Sequence, residues 1–369
     1  MQDKIIVIDQ TIREGMQHRG IVFSYDQKKK IVGFQEKLNL DLCQAGYAPA
    51  HESEALHLEQ LSMLCKSLDY KISLAGMGRA VPEDAKLLVD TGINHFHLHF
   101  HMNEGLQEKN IINSISDSID YIRANTDYSV ILVSMLDIGK MPDQLIEKIL
   151  GFLAFDIGTD IVSLADTSGI MAPEQFFDKI SHARAALEKS PTDLSVHCHN
   201  DMGLANANTI MGVSAGAAII ETSVLGIGER NGIADLFSTV YMLRQQGFDL
   251  NVNTGDIETF KEYYGFIDSV YKDQTGQSLI SYNTPVFGRG VISHVAGTHA
   301  ISSFGTRQEE DFFLNLLCGR CLVEKYLLKK NIAFDKEKLR EITRQIKVTS
   351  FRLNRRVHKD EIIKIIENL

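Results

Sequence analysis

The chain lacks several features that would settle its setting at once. No apolar run approaches the roughly 20 residues that cross a bilayer as a helix, which excludes a helical membrane protein. The N-terminus, MQDKIIVIDQ, has no long apolar core of the kind that directs secretion. Cysteine is scarce and scattered: Cys43, Cys65, Cys198, Cys318 and Cys321 are odd in number and follow no framework spacing. A disulfide scaffold is therefore excluded, and reduced thiols in the cytoplasm are expected. The lone C-x-x-C at Cys318 and Cys321 reads as ordinary packing. Positive charge is in deficit, 38 Lys and Arg against 48 Asp and Glu, a net charge of −10. Bulk electrostatics thus offer nothing to nucleic acid or to an anionic membrane, and an anionic ligand needs a local cluster of Arg and Lys. Low-complexity segments are missing, as is the Gly-rich first turn of a dinucleotide-binding sheet.

What is present is a regular alternation. Short apolar runs read as strands at Ile5–Ile8, Leu40–Ala45, Lys71–Ala75, His95–Phe100, Val130–Ser134, Ile161–Ala165, Leu194–Cys198 and Ala218–Val224. Helix-period segments lie between them, near 26–38, 53–68, 82–91, 107–124, 143–155, 173–188, 203–215 and 232–245. Proline punctuates helix starts at Pro82 and Pro173, and Asp143 after Pro142 is placed as an N-cap. Strand and helix alternating in this number predict an α/β fold, a (β/α)8 TIM barrel over residues 1–250. A linker subdomain is expected over 251–310, carrying His294 and His299, and a small, mostly helical, basic C-terminal subdomain over 311–369.

Active sites of such barrels sit at the carboxyl ends of the strands, and polar residues gather at those ends here. The first strand runs into Asp9–Gly15, the fifth into Asp137, the sixth into Asp166 and Thr167, and the seventh carries His197 and His199. Two imidazoles two residues apart on a strand share a face, as the ligands of a divalent metal do. Two hydrogen-bonded structural histidines are the plainer explanation of the pair until a third ligand is found. His97, His99 and His101 also share one face, and His101, nearest the strand end, is expected to line the substrate pocket.

The segments DQTIREGMQ, AGYAPA, SLAGMGRAVPED, ADTSG, HCHNDMGLANAN, GIGERNG and VAGTHA occur in this order. Together they resemble the metal-dependent acyl-CoA:2-oxo acid condensing enzymes: isopropylmalate, homocitrate and citramalate synthases, in the superfamily that includes hydroxymethylglutaryl-CoA lyase. The resemblance implies a Claisen-type condensation of acetyl-CoA, or a similar acyl-CoA, with a small 2-oxo acid. It implies a cytoplasmic homodimer working with a divalent metal (Mn, Mg, Zn or Co) and with neither nucleic acid nor membrane as partner.

By the same resemblance Glu14 joins His197 and His199 as metal ligands, and Arg13 stabilises charge on the keto oxygen. Thr167 holds the substrate carboxylate, and His299 is the base that takes a proton from the acyl methyl group. Asp137 stands where relatives have a catalytic glutamate, one methylene longer, with Met141 where an arginine is common. Ile233 stands where an asparagine is usual. Val133 and Met135 stand where homocitrate synthases hold the distal carboxylate of 2-oxoglutarate, so Met135 is a substrate-binding candidate and Arg79 the one cation that would substitute. Two alternatives remain: a metal-dependent lyase or aldolase cleaving a 3-hydroxy acid or its CoA ester, and a binding protein without turnover.

Overall fold

The computed structural model describes residues 4–101, 108–128, 130–295 and 311–369. The chain divides into two compact units, Met1–Leu279 and Ile280–Leu369.

The first unit is a closed barrel of eight parallel strands in sequential order. These are β1 (Ile6–Asp9), β2 (Leu42–Tyr47), β3 (Ser73–Arg79), β4 (His95–Phe100), β5 (Val130–Leu136), β6 (Ile161–Asp166), β7 (Asp193–Cys198) and β8 (Ile219–Thr222). Closure is made by β8 against β1, with Ile6 beside Ile219 and Asp9 beside Thr222. Helices follow the strands: α1 (Tyr25–Lys37), α2 (Glu52–Ser67), α3 (Pro82–Asp90), α4 (Glu108–Asn125), α5 (Asp143–Gly151), α6 (Pro173–Ala186), α7 (Ala205–Ser214) and α8 (Leu236–Gln245). Local chemistry sets several starts. Ser24 and Gln27 form a capping box on α1, and Pro82 and Pro173 each open a helix where no N–H is needed. At α5 the cap is Pro142, and Asp143, expected to be the cap, is the first helical residue, its carboxylate bound to Lys179.

Side chains alternate across each strand, and the barrel interior therefore forms layers. The lower layer is apolar: Ile8, Leu42, Ala75, Leu132, Ile161 and Ile219 pack together. Two residues further along the strands the buried inward set turns polar, with Gln44, His97, Ser134, Ser163, Ser195 and Glu221. The lower layer supplies hydrophobic burial, and the upper one supports the pocket.

The unit runs past residue 250. Helix α9 (Ile257–Thr275) buries Phe260, Tyr263, Tyr264 and Ile267; the Tyr263 hydroxyl donates to Asp9 at 2.8 Å and the Tyr264 hydroxyl to Asp235 at 2.8 Å. The expected boundary at 250 thus moves to 279, because this helix belongs to the barrel's packing. In the second unit β9 (Ser293–His294) pairs in parallel with β10 (Asp311–Phe312). Helices α10 (Arg320–Lys329), α11 (Leu339–Leu353) and α12 (Lys359–Glu367) enclose a core that includes Leu322, Leu327, Ile342, Ile346 and Ile362. The linker and helical subdomains expected at 251–310 and 311–369 are therefore not separate units among the described residues.

Candidate active site

At the carboxyl end of β7, His197 and the residue just beyond the strand, His199, face each other with their Nε2 atoms 3.3 Å apart. Glu14 reaches them from the turn after β1, and one ligand atom from each of the three lies within 4.8 Å of the others. Donors about 2.1 Å from one ion stand about 3.0–3.4 Å apart at octahedral to tetrahedral angles, so the imidazole spacing fits a shared divalent cation. Glu14 thus stands where a third ligand for the histidine pair would have to be.

Each of the three side chains is held from behind. Glu221 on β8 accepts the His197 Nδ1 proton at 3.0 Å, which fixes the tautomer and leaves the Nε2 lone pair facing Glu14 and His199. Glu221 also accepts from Ser195 at 2.8 Å, from Ser163 and from Gln10. Burial works against its charge, but the contacts from His197 and Ser163 outweigh burial and hold the carboxyl down at about 2. Burial, with the field of His197, lowers His199 to about 4, so it stands neutral and ready to ligate at pH 7. Glu14 stays below the usual carboxylate range: burial opposes this, and Arg13 with the two histidines overcomes it.

The Gly-rich turn after β8 makes room for this arrangement. A Cβ on Gly228 would sit 2.8 Å from the Glu14 Cγ, and one on Gly232 would sit 1.7 Å from the Gly226 carbonyl oxygen. Glycine at 228 lets the Glu229 N–H reach Glu14 Oε1 at 3.3 Å. Ile233 is buried, and its backbone bridges that of His199; its contribution there is main-chain.

Arg13 pairs with Glu14 and is gripped on all three nitrogens by neutral carbonyls of Gln44, Gln17 and Gln10. Beside it opens a cavity of about 480 Å³, lined by Arg13, Glu14, His197, His199, Thr167, Gln17, Tyr47, Glu54, Met77, His99, Ser134 and Leu136 among others. The Thr167 Oγ1 accepts the Asp137 N–H at 3.0 Å, so its own hydroxyl proton is left for a ligand. Arg13, Glu14, Thr167, His197 and His199, singled out from the sequence, therefore meet in one pocket.

The other described candidates do not meet there. Asp137 adopts a left-handed backbone, φ 61°, and turns its carboxylate to Lys140 at 2.8 Å and Ser168 at 2.6 Å; it does not line the cavity. The last inward residue of β5 is Leu136. Met135 is fully buried on the opposite face of β5, because strand alternation puts Ser134 and Leu136 inside and Val133 and Met135 against the helices. Arg79 is 59% exposed and bound twice by Asp84, at 2.9 and 2.8 Å, outside the cavity. His101 lies past the end of β4 and is exposed; His99, one pleat earlier, is the histidine that lines the pocket. His294 is a buried residue of the second unit, and His299 lies outside the described residues.

Sequence reasoning passed over Glu221, Gln44, Gln10 and Glu54. Glu221 and Gln44 carried a signal, each a polar residue on the inward face of an apolar strand. Glu54 had none: it lines the pocket from α2 while its Oε1 is bound by the fully buried Lys28 at 2.6 Å.

Residues 4–263 match the HMGL-like family. Over 357 aligned residues the chain is 28% identical to the 2-isopropylmalate synthase of Sulfolobus acidocaldarius, covering 93% of this chain and 90% of that one. It is 25% identical to a putative (R)-citramalate synthase of Methanopyrus kandleri, covering 94% and 69%. It is 24% identical to a 2-phosphonomethylmalate synthase of Streptomyces rubellomurinus, covering 99% and 98%. Among solved structures it is similar to the hydroxymethylglutaryl-CoA lyase of Pseudomonas aeruginosa (TM-score 0.62, 14% identity, 79% of this chain and 98% of that one). It is also similar to the HMG-CoA lyase of Brucella melitensis (TM-score 0.61, 16% identity, 73% and 100%). At these identities the structural likeness establishes the fold alone.

Proposed function

We propose that this chain, which belongs to the HMGL-like family, condenses acetyl-CoA or a similar acyl-CoA with a small 2-oxo acid. The observation that carries the reading is the convergence of Glu14, His197 and His199 beside a caged Arg13 in one pocket. Relatives named 2-isopropylmalate and citramalate synthase, aligned over more than nine-tenths of the chain, support condensation over cleavage.

Glu14, His197 and His199 are the residues that would hold a divalent ion, which when bound supplies Lewis acidity at the keto oxygen. Arg13 presents a guanidinium to the same oxygen, where charge develops as the new carbon–carbon bond forms. Thr167 donates its free hydroxyl proton to the substrate carboxylate. Proton removal from the acyl methyl group is assigned to His299. Asp137, tied to Lys140 and Ser168, is not favoured as its partner.

The pocket also selects the acid. Arg13 is the sole permanently charged cation on its described lining, which also carries Met77, Leu136 and the carboxylate of Glu54. A second substrate carboxylate would meet the neutral donors Tyr47, His99 and Ser134 but no second cation, and its burial there is unfavourable. The acid accepted is therefore one without a distal carboxylate. No described helix is long and apolar enough to cross a membrane, and all five cysteines are unpaired, in keeping with a reducing cytoplasm. The working form is taken to be a homodimer.

The test is thiol release from acetyl-CoA by purified protein with Mn²⁺ or Mg²⁺ and a panel of 2-oxo acids. Release with one acid, abolished in His197→Ala, supports the reading. No release, with cleavage of a hydroxy-acyl thioester instead, would overturn it.

A further inference from the structure

We propose that Gln44 and His97 are positioning residues whose hydrogen bonds aim Arg13 into the pocket. The kinetic part of this inference rests on the condensation reading above; the structural part stands on the contacts alone.

Gln44 lies inward on β2 and His97 inward on β4, both essentially inaccessible to solvent. The Gln44 Oε1 accepts from Arg13 Nε, and the Gln44 Nε2 donates to His97 Nδ1 at 2.7 Å. A primary amide fits such a site either way round, so something must choose. Arg13 chooses, because a guanidinium only donates: the carbonyl of Gln44 must face it, and the NH₂ then faces His97. Burial, with the fields of His95 and Arg13, drives this imidazole down to about 3, so it is neutral and can accept at Nδ1 with its proton on Nε2. His97 thus anchors the far end of the amide whose carbonyl holds the guanidinium.

Two further carbonyls complete the cage: Gln17 Oε1 at 2.9 Å and Gln10 Oε1 at 3.3 Å from the terminal nitrogens. Gln10 in turn donates to Glu221, the carboxylate behind His197. One buried frame therefore runs from His97 through Gln44, Arg13, Gln10 and Glu221 to His197. Its contacts to Arg13 are neutral except for Glu14. Neutral acceptors fix direction without cancelling charge, and the charge is what a developing alkoxide needs. Neither Gln44 nor His97 lines the cavity, so each acts through Arg13.

The experiment compares wild type with Gln44→Leu, Gln44→Glu and His97→Leu. The first readout is the Arg13 side-chain Hε–Nε signal in ¹⁵N-arginine-labelled protein, assigned by its loss in Arg13→Lys. It is expected to be slowly exchanging in wild type, absent or fast-exchanging in Gln44→Leu, present in Gln44→Glu and weakened in His97→Leu. The second is Mn²⁺ affinity, expected within about twofold of wild type for Gln44→Leu, because no ligand or ligand partner is removed. The third is turnover with the preferred 2-oxo acid. Losses in kcat of about 100-fold for Gln44→Leu and about tenfold for His97→Leu are expected with little change in KM, as for a contact that matters mainly in the transition state. Gln44→Glu keeps an acceptor for Arg13 and lets His97 donate from Nδ1, so the geometry is kept, but its charge offsets that of the guanidinium and the rate should recover only in part. A protected Hε signal in Gln44→Leu would overturn the proposal, as would equal losses in the Leu and Glu variants or a parallel fall in Mn²⁺ affinity. If wild type turns over no acid, the condensation reading fails, and the Hε signal alone still decides the frame.

Discussion

The two sides of the pocket are built on different terms. Along β1, β7 and β8 the polar groups are buried and hold one another: Glu14 with Arg13, His197 with Glu221, Glu221 with two serines and a glutamine. Moving one moves its neighbours. Along β3, β4 and β5 the wall is Met77, His99, Ser134 and Leu136, a surface that tolerates substitution because no network runs through its apolar members. On the proposed reading the over-determined side carries out the reaction, and the loosely determined side chooses the acid.

The sharpest way to break the comparison is on the first side. His197→Ala removes a ligand, and both Mn²⁺ binding by calorimetry and thiol release should fall below detection. Glu221→Gln leaves the ligands in place but removes the acceptor charge behind His197, and Mn²⁺ affinity should drop about 10–100-fold. On the second side, Leu136→Arg supplies the cation the wall lacks. A charge-assisted hydrogen bond worth about 1.5–3 kcal/mol should lower the KM for 2-oxoglutarate at least about tenfold while Mn²⁺ affinity holds.

Asp137→Asn should be mild, within about fivefold in kcat, since that carboxylate faces Lys140 and Ser168 and a positioned proton-transfer group is worth about 100-fold or more. A loss of that larger size would return Asp137 to catalysis.

The smallest effect concerns pH. His97 has its proton affinity depressed from the ordinary 6.5 to about 3 in the fold. As pH falls below 6.5 the unfolded chain takes up that proton first, so stability declines toward pH 3 and is level above about pH 7. Melting curves across pH 4–8 should show this acid limb, shallower in His97→Leu.

The barrel was legible in the sequence because apolar strands and amphipathic helices alternate on two distinct periods; His197 and His199 stood out as a local pair, and the grouping of Arg13 and Glu14 with them came from the resemblance of the ordered motifs to a known family. Four things were not legible. Strand alternation decides whether Met135 or its neighbours Ser134 and Leu136 face the pocket, and a one-residue shift in the assumed register reverses the answer. Asp137 escapes into a left-handed turn that no pattern announced. Glu221 and Gln44 act from strands remote in sequence from the residues they orient, so only the closed barrel brings them together. Helix α9 looked like the start of a linker because its packing on the barrel goes through two buried tyrosines and not through a strand–helix repeat.

The account's central claim is metal-dependent condensation with an acid that lacks a distal carboxylate. Product mass spectrometry tests it most directly: acetyl-CoA labelled with ¹³C, Mn²⁺, and an equimolar mixture of pyruvate, 2-oxobutyrate, 2-oxoisovalerate and 2-oxoglutarate. The account predicts a labelled adduct of one or more of the monocarboxylic acids, lost on chelation of the metal and in His197→Ala. A dominant 2-oxoglutarate adduct, or adducts that survive both treatments, would contradict it.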